Sequence, residues 1–436
     1  MPLTSAPIDE LADEVLTTSD TGLPERAAGL TVREFLATGP TLDEFWTPLT
    51  VLDAAALTRN AATIQAWAGA HGMELMPHGK TTMAPALWWL QLDAGATGLT
   101  LATPGQVRTA RSFGVASIML ANALVAPRAL AFIAAELADP DFTFRSWVDS
   151  IETVEAMERG LAATDAELTR RIDVLVELGA HGGRTGARTL DDAEAIARRV
   201  AESPVLRLAG VAGYEGSLGH DRTGHALVAV RDYLSDLLEL HDTVRDIAGD
   251  AEPLIVTAGG SAYLDLVADV FEPSIEADAA AGRRTRWILR SGASLLHDDG
   301  FYHGISPLDA TRNHSRGPTL VPAMRGYARV VSHPEPGLAL LDGGKRDFPY
   351  DEGLPVPFGR AAELGGPEEP LVGASVSALN DQHAFLRSAG TLPVAIGDVV
   401  SLGLSHPCTA FDKRRWLPVV EGAGSTRVVD LVRTFF

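Results

Sequence analysis

A regular alternation of strand-like runs and helical stretches, from about residue 74 to residue 292, constrains the fold of this chain more than any other feature. The runs are short and mostly apolar. The stretches between them, such as residues 191–203, have the apolar spacing of helices that open on acidic residues. This alternation indicates parallel βαβ units. Eight runs share the strand-like character: residues 74–77, 97–103, 117–122, 144–149, 172–178, 208–214, 254–260 and 287–292.

Eight parallel strands are the number that a closed (β/α)8 barrel requires, so we predict an α/β fold of that type. A doubly wound open sheet is the structural alternative. After residue 300 Gly and Pro become dense and the long helical patterns stop, which indicates a second, mainly β domain. Its strand-like runs are residues 325–332, 337–344 and 397–404, with residues 353–370 as a loop or hairpin.

Three parts of the chain are therefore predicted. Residues 1–45 form an N-terminal segment associated with the β domain, and residues 46–300 form the barrel, with residues 47–53 also reading as a strand. Residues 301–436 form the C-terminal β-rich domain, which carries the candidate metal ligands described below.

Composition excludes several classes of protein. The net charge is −21 and Lys and Arg form no cluster, which argues against a nucleic-acid partner. No apolar run reaches the ~20 residues that cross a bilayer, and the first residues lack the basic and apolar regions of a signal peptide. Cys408 is the only cysteine, so an intrachain disulfide is impossible. We therefore expect a cytoplasmic protein without a membrane partner.

Lys80 is the first candidate for chemistry, within Pro-His-Gly-Lys-Thr directly after the first barrel-type run. In a barrel the carboxyl ends of the strands build the active site, so a lysine there points into the mouth. A partly desolvated lysine amine can lose its proton and form a Schiff base with a carbonyl compound. An arbitrary lysine at a strand end is more often a surface residue.

Glycine-rich turns follow the seventh and eighth runs, as Ala-Gly-Gly-Ser around Gly260 and Arg-Ser-Gly-Ala-Ser around Gly292. Barrels bind phosphate at these two positions, because bare backbone N–H groups approach its oxygens closely. Each turn alone is weak evidence, since tight turns need glycine anyway. Combined with a lysine at the first run, the turns describe a pyridoxal-phosphate site.

His406 and Cys408 form the second candidate site. Two residues apart, they would face the same side of an extended strand. Imidazole and thiolate are zinc-type ligands, and a pair leaves positions open for water and substrate. A buried cysteine beside a turn histidine is the alternative. His383 could contact the substrate or support the ligands, or it could be a structural histidine.

These motifs resemble the D-serine dehydratase and D-threonine aldolase group of fold-type III pyridoxal-phosphate enzymes, which are related to alanine racemase. The resemblance spans about residue 45 to the end, and the motifs around Lys80 and around His406 are the most specific. It implies Lys80 as the cofactor lysine and the base at Cα, with His383 as a further catalytic candidate. It also implies cofactor-binding residues, namely Arg184 and Tyr214 near the ring and Gly260, Ser261, Gly292 and Ala293 around the phosphate.

The resemblance further implies a divalent metal on His406 and Cys408, with zinc favoured over manganese or magnesium, a D-amino acid substrate and a homodimer. Aldolase relatives place a carboxylate where Cys408 stands, which favours dehydration of a D-β-hydroxy amino acid to a 2-oxo acid. Retro-aldol cleavage to glycine and an aldehyde is the alternative, and a racemase or a non-catalytic pyridoxal-phosphate carrier is less favoured. Thr82 and Ala293 depart from common family residues, which weakens the substrate assignment but not the cofactor assignment.

Overall fold

The computed structural model describes residues 6–164, 168–249, 252–312 and 317–436. These residues divide into two compact units. One contains residues 65–80 and 95–292; the other contains residues 1–64, 81–94 and 293–436. Within the described ranges, no helix combines the length and the apolar character needed to cross a membrane.

Strands and helices alternate through the first unit, as the sequence predicts. The strands are β2 (Glu74–Leu75), β3 (Leu99–Leu101), β4 (Ser117–Ala123), β5 (Thr143–Val148), β6 (Ile172–Leu178), β7 (Leu206–Gly213), β8 (Ile255–Ala258) and β9 (Arg286–Leu289). The main helices of this part of the chain are α4 (Pro104–Ser112), α5 (Pro127–Glu136), α6 (Ile151–Ala162), α7 (Leu190–Ala201), α8 (Gly224–Ala248) and α9 (Leu264–Ala280), and α2 (Ala54–Ala70) crosses into this unit after residue 64.

The eight strands form one parallel sheet in the order β2-β9-β8-β7-β6-β5-β4-β3. Its two edges meet, because a parallel bridge joins His78 to Thr100. The N–H groups of Thr97 and Thr100 also donate to the carbonyls of Leu75 and Pro77, both at 2.9 Å. The predicted strands and the predicted barrel-type fold are therefore confirmed.

The interior of the barrel is layered. Apolar residues from or next to seven of the strands pack into one buried cluster, comprising Met76, Met119, Trp147, Leu175, Ala209, Ala212, Ile255 and Ile288. Because side chains alternate along a strand, residues two positions from members of this cluster face the interior as well. On each strand, a polar residue two positions before the cluster member therefore lines the amino-terminal end of the barrel. A polar residue two positions after the cluster member lines the carboxyl end. The carboxyl end is the mouth in barrel enzymes.

The second unit is built on a ten-stranded sheet. Its central path is β13-β12-β16-β10-β1-β17-β18, and β11, β15 and β14 extend it from β10. The strands are β1 (Leu49–Asp53), β10 (Met324–Glu335), β11 (Leu338–Leu341), β12 (Val356–Ala361), β13 (Glu369–Pro370), β14 (Ala374–Leu379), β15 (Ala384–Ser388), β16 (Val399–Gly403), β17 (Trp416–Val420) and β18 (Val428–Arg433). Its remaining helices are α1 (Val32–Ala37), α3 (Pro85–Asp93) and α10 (Phe301–Ile305).

Strand β1 differs from expectation. Although it lies in the stretch 46–300 that we assigned to the barrel, it pairs antiparallel with β10 and parallel with β17. Its four residues from Leu49 to Leu52 are buried, as suits a strand in the middle of a sheet. Residues before β1, including Leu16, Phe35 and Phe45, pack with it and with Trp416 in one core cluster. The three strands expected after residue 300 are present as β10, β11 and β16, and the expected loop or hairpin is the antiparallel β12–β13 pair.

Candidate active site

Lys80 lies in a short 3-10 turn, Gly79–Thr81, that follows β2 and the bridge at His78. Burial, together with the positive charges of Lys80, Arg290 and Arg184, holds the pKa of His78 well below its usual range. His78 is therefore neutral near pH 7, and its buried Nδ1 has no hydrogen-bond partner among the described residues. Burial without a partner is costly, which makes this nitrogen a candidate ligand contact.

Arg290, two residues after the interior residue Ile288, is buried at the mouth of the barrel. Its guanidinium donates to the Thr257 hydroxyl at 2.7 Å and to the Gly213 carbonyl at 2.5 Å. It also lies 4.9 Å from the centroid of the Trp147 ring. Its Nε is buried and has no partner in the described structure. In the sequence this arginine begins a glycine-rich turn, and no role was predicted for it.

Glu177 is the buried acid of the mouth, only 6% exposed. Burial and the nearby charge of Asp149 raise its pKa to about 7. A hydrogen bond donated by the Thr185 hydroxyl at 3.0 Å acts in the opposite direction and lowers the pKa. Sequence reasoning missed this residue. The available signal was a charged residue two positions after Leu175 in an otherwise apolar strand.

Arg184 and Tyr214 come from neighbouring parts of the barrel. Arg184 lies in the loop between β6 and α7, and its guanidinium carbon is 4.8 Å from the centroid of the Tyr214 ring. This is a cation–π distance. The Tyr214 N–H donates to the Tyr233 hydroxyl at 3.0 Å, and that hydroxyl donates to the Leu178 carbonyl at 2.6 Å. The backbone at the end of β7 is thereby tied to β6.

The predicted phosphate turns are tightly packed. The N–H groups of Gly259 and Gly260 donate to the buried carboxylate of Glu215 at 2.9 and 2.7 Å. Gly260 therefore does not present its N–H to a phosphate here, and its missing side chain instead allows close contact with Tyr214. Sequence reasoning missed Glu215.

Ser261 and Gly292 belong to the two glycine-rich turns that were predicted to bind phosphate. The Ser261 and Ser291 hydroxyls are 2.7 Å apart. A Cβ at Gly292 would lie 2.5 Å from the His78 carbonyl oxygen, so only glycine fits there. Ala293, the next residue, begins the 3-10 turn Ala293–Leu295.

The backbone around His406 is not extended, which corrects the geometry assumed from sequence. His406 has φ 52°, in the left-handed region, and Pro407–Thr409 forms a 3-10 turn. Proline has no N–H to donate and fixes its own φ, which suits the first position of such a turn. The two side chains nevertheless meet, because His406 forms a hydrogen bond with Cys408.

Two aspartates hold His406. Its N–H donates to Asp298 Oδ2 at 2.9 Å, and its Nδ1 lies 2.6 Å from Asp351 Oδ2. Burial lowers the pKa of His406, but the hydrogen bond and charge of Cys408 and the charge of Asp351 outweigh it and raise the pKa to about 9. Neither aspartate was found from sequence, since they precede His406 by 108 and 55 residues.

Cys408 is half-buried, and its Sγ lies 3.4 Å from the Thr81 hydroxyl. Thr81 is the residue after Lys80, so the chain itself connects the candidate lysine to a contact of the candidate thiol. His383 is exposed beside β15, and its carbonyl accepts a hydrogen bond from the Asn380 N–H at 2.8 Å. Within the described residues, no group of three or more His, Cys, Asp or Glu side chains is arranged to hold a metal ion.

Comparison with known families matches two parts of the chain. Residues 52–266 match the N-terminal domain of alanine racemase, and residues 323–420 match a putative serine dehydratase domain. The resemblance to the alanine racemase-like, fold-type III enzymes is therefore confirmed.

Individual relatives are consistent with this family. D-threonine aldolase from Arthrobacter sp. is 29% identical over 86% of this chain and 89% of its own length. D-threo-3-hydroxyaspartate dehydratase from Delftia sp. is 30% identical over 43% of this chain and 48% of its own. The crystal structure of D-threonine aldolase from Filomicrobium marinum superimposes with a TM-score of 0.71 at 25% identity, covering 91% of this chain and 97% of that one.

Proposed function

We propose that this chain is a lyase that depends on pyridoxal phosphate and a divalent metal, and that it removes water and ammonia from a D-β-hydroxy amino acid to give a 2-oxo acid. Relatives named for D-threonine and D-threo-3-hydroxyaspartate support the substrate class, because both compounds carry a hydroxyl on the β-carbon. The observation that carries the proposal is the contact of Thr81, which follows Lys80, with the thiol of Cys408.

The residues of the barrel mouth fit pyridoxal phosphate. Lys80 would hold the cofactor through its amine, and the orphaned Nδ1 of His78 and Nε of Arg290 are buried polar atoms that a ligand could satisfy. Ser261, Gly292 and Ala293 would surround its phosphate, while Arg184 and Tyr214 would lie near the ring. When bound, pyridoxal phosphate acts as an electron sink for the carbon attached to the substrate nitrogen.

The residues of the 3-10 turn fit a divalent metal. A neutral imidazole and a thiolate are the ligands that zinc prefers. A solved structure of D-threo-3-hydroxyaspartate dehydratase offers a parallel, since its cysteine-to-alanine variant is in a metal-free form. The cysteine of that variant and the histidine replaced in a second one are two positions apart, as Cys408 and His406 are. A metal here would supply Lewis acidity to a β-hydroxyl, which is otherwise a poor leaving group.

The chain's own residues then divide the work. The amine of Lys80 takes the proton from Cα of the substrate, which requires a neutral amine. Arg184, seated on the face of Tyr214, brings a further fixed charge to the mouth. His383 remains a candidate for contact with the substrate side chain.

Retro-aldol cleavage is the second candidate, because the Arthrobacter relative that matches 86% of the chain is an aldolase. Both reactions start from the same bound substrate and differ in which bond breaks. Cleavage at Cα–Cβ gives glycine and an aldehyde, whereas loss of the hydroxyl gives a 2-oxo acid and ammonia. We favour dehydration because Cys408 occupies the position where the resemblance places a carboxylate in aldolases.

A product assay separates the two reactions. The purified protein, supplied with pyridoxal phosphate and with Zn2+, Mn2+ or Mg2+ in turn, is incubated with D-serine and D-threonine. We expect 2-oxo acid and ammonia in equal amounts, with loss of at least 90% of the rate in Cys408→Ala, about a tenfold effect. Glycine and acetaldehyde without 2-oxo acid would assign the aldolase reaction, and a Cys408→Ala rate equal to that of the unchanged protein would remove the metal from the proposal.

A further inference from the structure

We infer that Asp351 is a positioning residue, which holds the His406 ring by its Nδ1 so that Nε2 is the atom offered to the metal alongside Cys408. The inference rests on the proposed metal site and adds to it a residue that neither the motif nor its spacing indicates. Asp351, His406 and Cys408 all lie in the second unit of the chain.

The carboxylate of Asp351 is held at both of its oxygens. Oδ2 lies 2.6 Å from His406 Nδ1, and Oδ1 accepts a hydrogen bond from the Thr409 hydroxyl at 2.7 Å. Thr409 ends the same 3-10 turn that contains Cys408. Asp351 therefore connects the His406 ring, at the start of the turn, to the Thr409 side chain at its end. These two hydrogen bonds fix the orientation of the ring relative to the turn.

The backbone of His406 is fixed by a second carboxylate. Asp298 is fully buried, and its Oδ2 accepts the His406 N–H at 2.9 Å. Its Oδ1 accepts the N–H groups of Gly300 and Tyr302 at 3.0 and 2.7 Å, which anchors it at the start of α10. With the backbone held at one point and the ring at another, little rotational freedom is left to the imidazole.

The tautomer follows from this geometry. A carboxylate is an acceptor only, so Nδ1 carries the hydrogen and donates it to Asp351. Because Nδ1 keeps its hydrogen for Asp351, Nε2 is the nitrogen at which a metal would replace a proton. A carboxylate at the far nitrogen of a metal-binding histidine orients the ring and raises the basicity of the ligand nitrogen. Both oxygens of Asp351 already have partners, which argues for this indirect role rather than for direct ligation.

Competition for Zn2+ between the protein and a chromogenic chelator tests the inference without measuring turnover. Asp351→Ala should weaken Zn2+ binding by about 10–100-fold. Asp351→Asn should lose less, because its amide oxygen can still accept from Nδ1. Glu352→Gln is the matched control, since it removes the same charge from the exposed neighbouring residue. It should bind Zn2+ like the unchanged protein. The pyridoxal-phosphate absorbance of each variant reports that the barrel remains folded.

Three results would overturn the inference, each in a different way. If Asp351→Ala binds Zn2+ as tightly as Glu352→Gln does, the metal site stands but Asp351 does not position it. If Asp351→Ala loses Zn2+ as completely as Cys408→Ala and Asp351→Asn rescues nothing, Asp351 is itself a ligand. If Cys408→Ala and His406→Ala leave Zn2+ binding unchanged, the proposed metal site fails and the inference fails with it.

Discussion

At the amino-terminal end of the barrel the inward charges are paired with one another, whereas at the carboxyl end several polar groups lack a full set of partners. Arg286 holds Glu74 with two hydrogen bonds of 2.8 and 2.5 Å, and Arg207 holds Asp173 with two of 2.6 and 2.5 Å. At the other end His78 and Arg290 each keep an orphaned buried nitrogen. Arg145 is the exception at the amino-terminal end, since its buried Nε has no partner among the described residues.

Two glutamates show what the pairing does. Burial would raise the pKa of Glu74, but the hydrogen bonds and charge of Arg286 lower it below its ordinary value. Burial raises the pKa of Glu177 to about 7, since the side-chain hydrogen bond it receives comes from the Thr185 hydroxyl and the nearby arginines act only through their charge. The same side chain in the same barrel is thus a permanent charge at one end and a titrating group at the other. Titrating buried groups in a cleft are typical of functional sites.

The largest expected effect lies at the mouth. Lys80→Ala should abolish the absorbance band of bound pyridoxal phosphate and reduce turnover by about 10³-fold or more, because the covalent attachment and the base are removed together. The measurement is the visible spectrum before and after borohydride reduction, with activity alongside. A reducible chromophore in Lys80→Ala would show that another amine holds the cofactor.

Matched arginine variants compare the two ends directly. Arg290→Met should weaken pyridoxal-phosphate binding at least tenfold, because its contacts to Thr257 and Gly213 fix the mouth. Arg286→Met should leave cofactor affinity unchanged and lower the free energy of unfolding by about 1.5–3 kcal/mol, the usual value of hydrogen bonds to a charged group.

Cofactor titration measures the affinity for pyridoxal phosphate, and urea unfolding measures the free energy of unfolding, for both variants. Arg290→Lys keeps the positive charge, so it serves as the control that separates a loss of binding from a loss of folding. The distinction between the ends breaks down if Arg286→Met loses cofactor as strongly as Arg290→Met.

The smallest effect is a pH dependence of stability. Between the ordinary Glu pKa of 4.5 and about 7, folded Glu177 keeps a proton that the unfolded chain has released. The stability that this proton provides is therefore present at low pH and is lost as pH rises through that window. Glu177→Gln should remove the loss, so its stability relative to the unchanged protein should improve by about 2–3 kcal/mol from pH 5 to pH 8.

Urea unfolding at the two pH values measures this shift. Glu74→Gln is the control, and its relative stability should stay nearly constant between these two pH values, because the pKa of Glu74 is lowered and its contribution changes only below about pH 4.5. Equal shifts in both variants would contradict the comparison.

The repeating part of the fold was readable from sequence, because the strands from β3 to β9 are apolar runs that pair with their neighbours along the chain. Strand β1 was predicted as a strand but placed in the wrong sheet, since its partners β10 and β17 lie hundreds of residues away and nothing local reveals them. The same reason hid Asp298 and Asp351, which reach His406 from distant loops. The extended geometry assumed around Pro407 was wrong because spacing says nothing about a left-handed residue before a 3-10 turn.

The strands of the barrel differ in how many backbone hydrogen bonds join them to their neighbours. β6 pairs with β7 along its whole length, from Ile172 to Leu178, whereas the two edge strands are joined by the bridge at His78 and short bonds beside it. Local opening costs least where few backbone hydrogen bonds must break, so opening at this joint costs less than opening between β6 and β7. The chain passes from the joint straight into Lys80. Lys80 therefore follows a two-residue strand, β2, that few backbone hydrogen bonds hold, and not one of the long pairings such as that of β6 with β7.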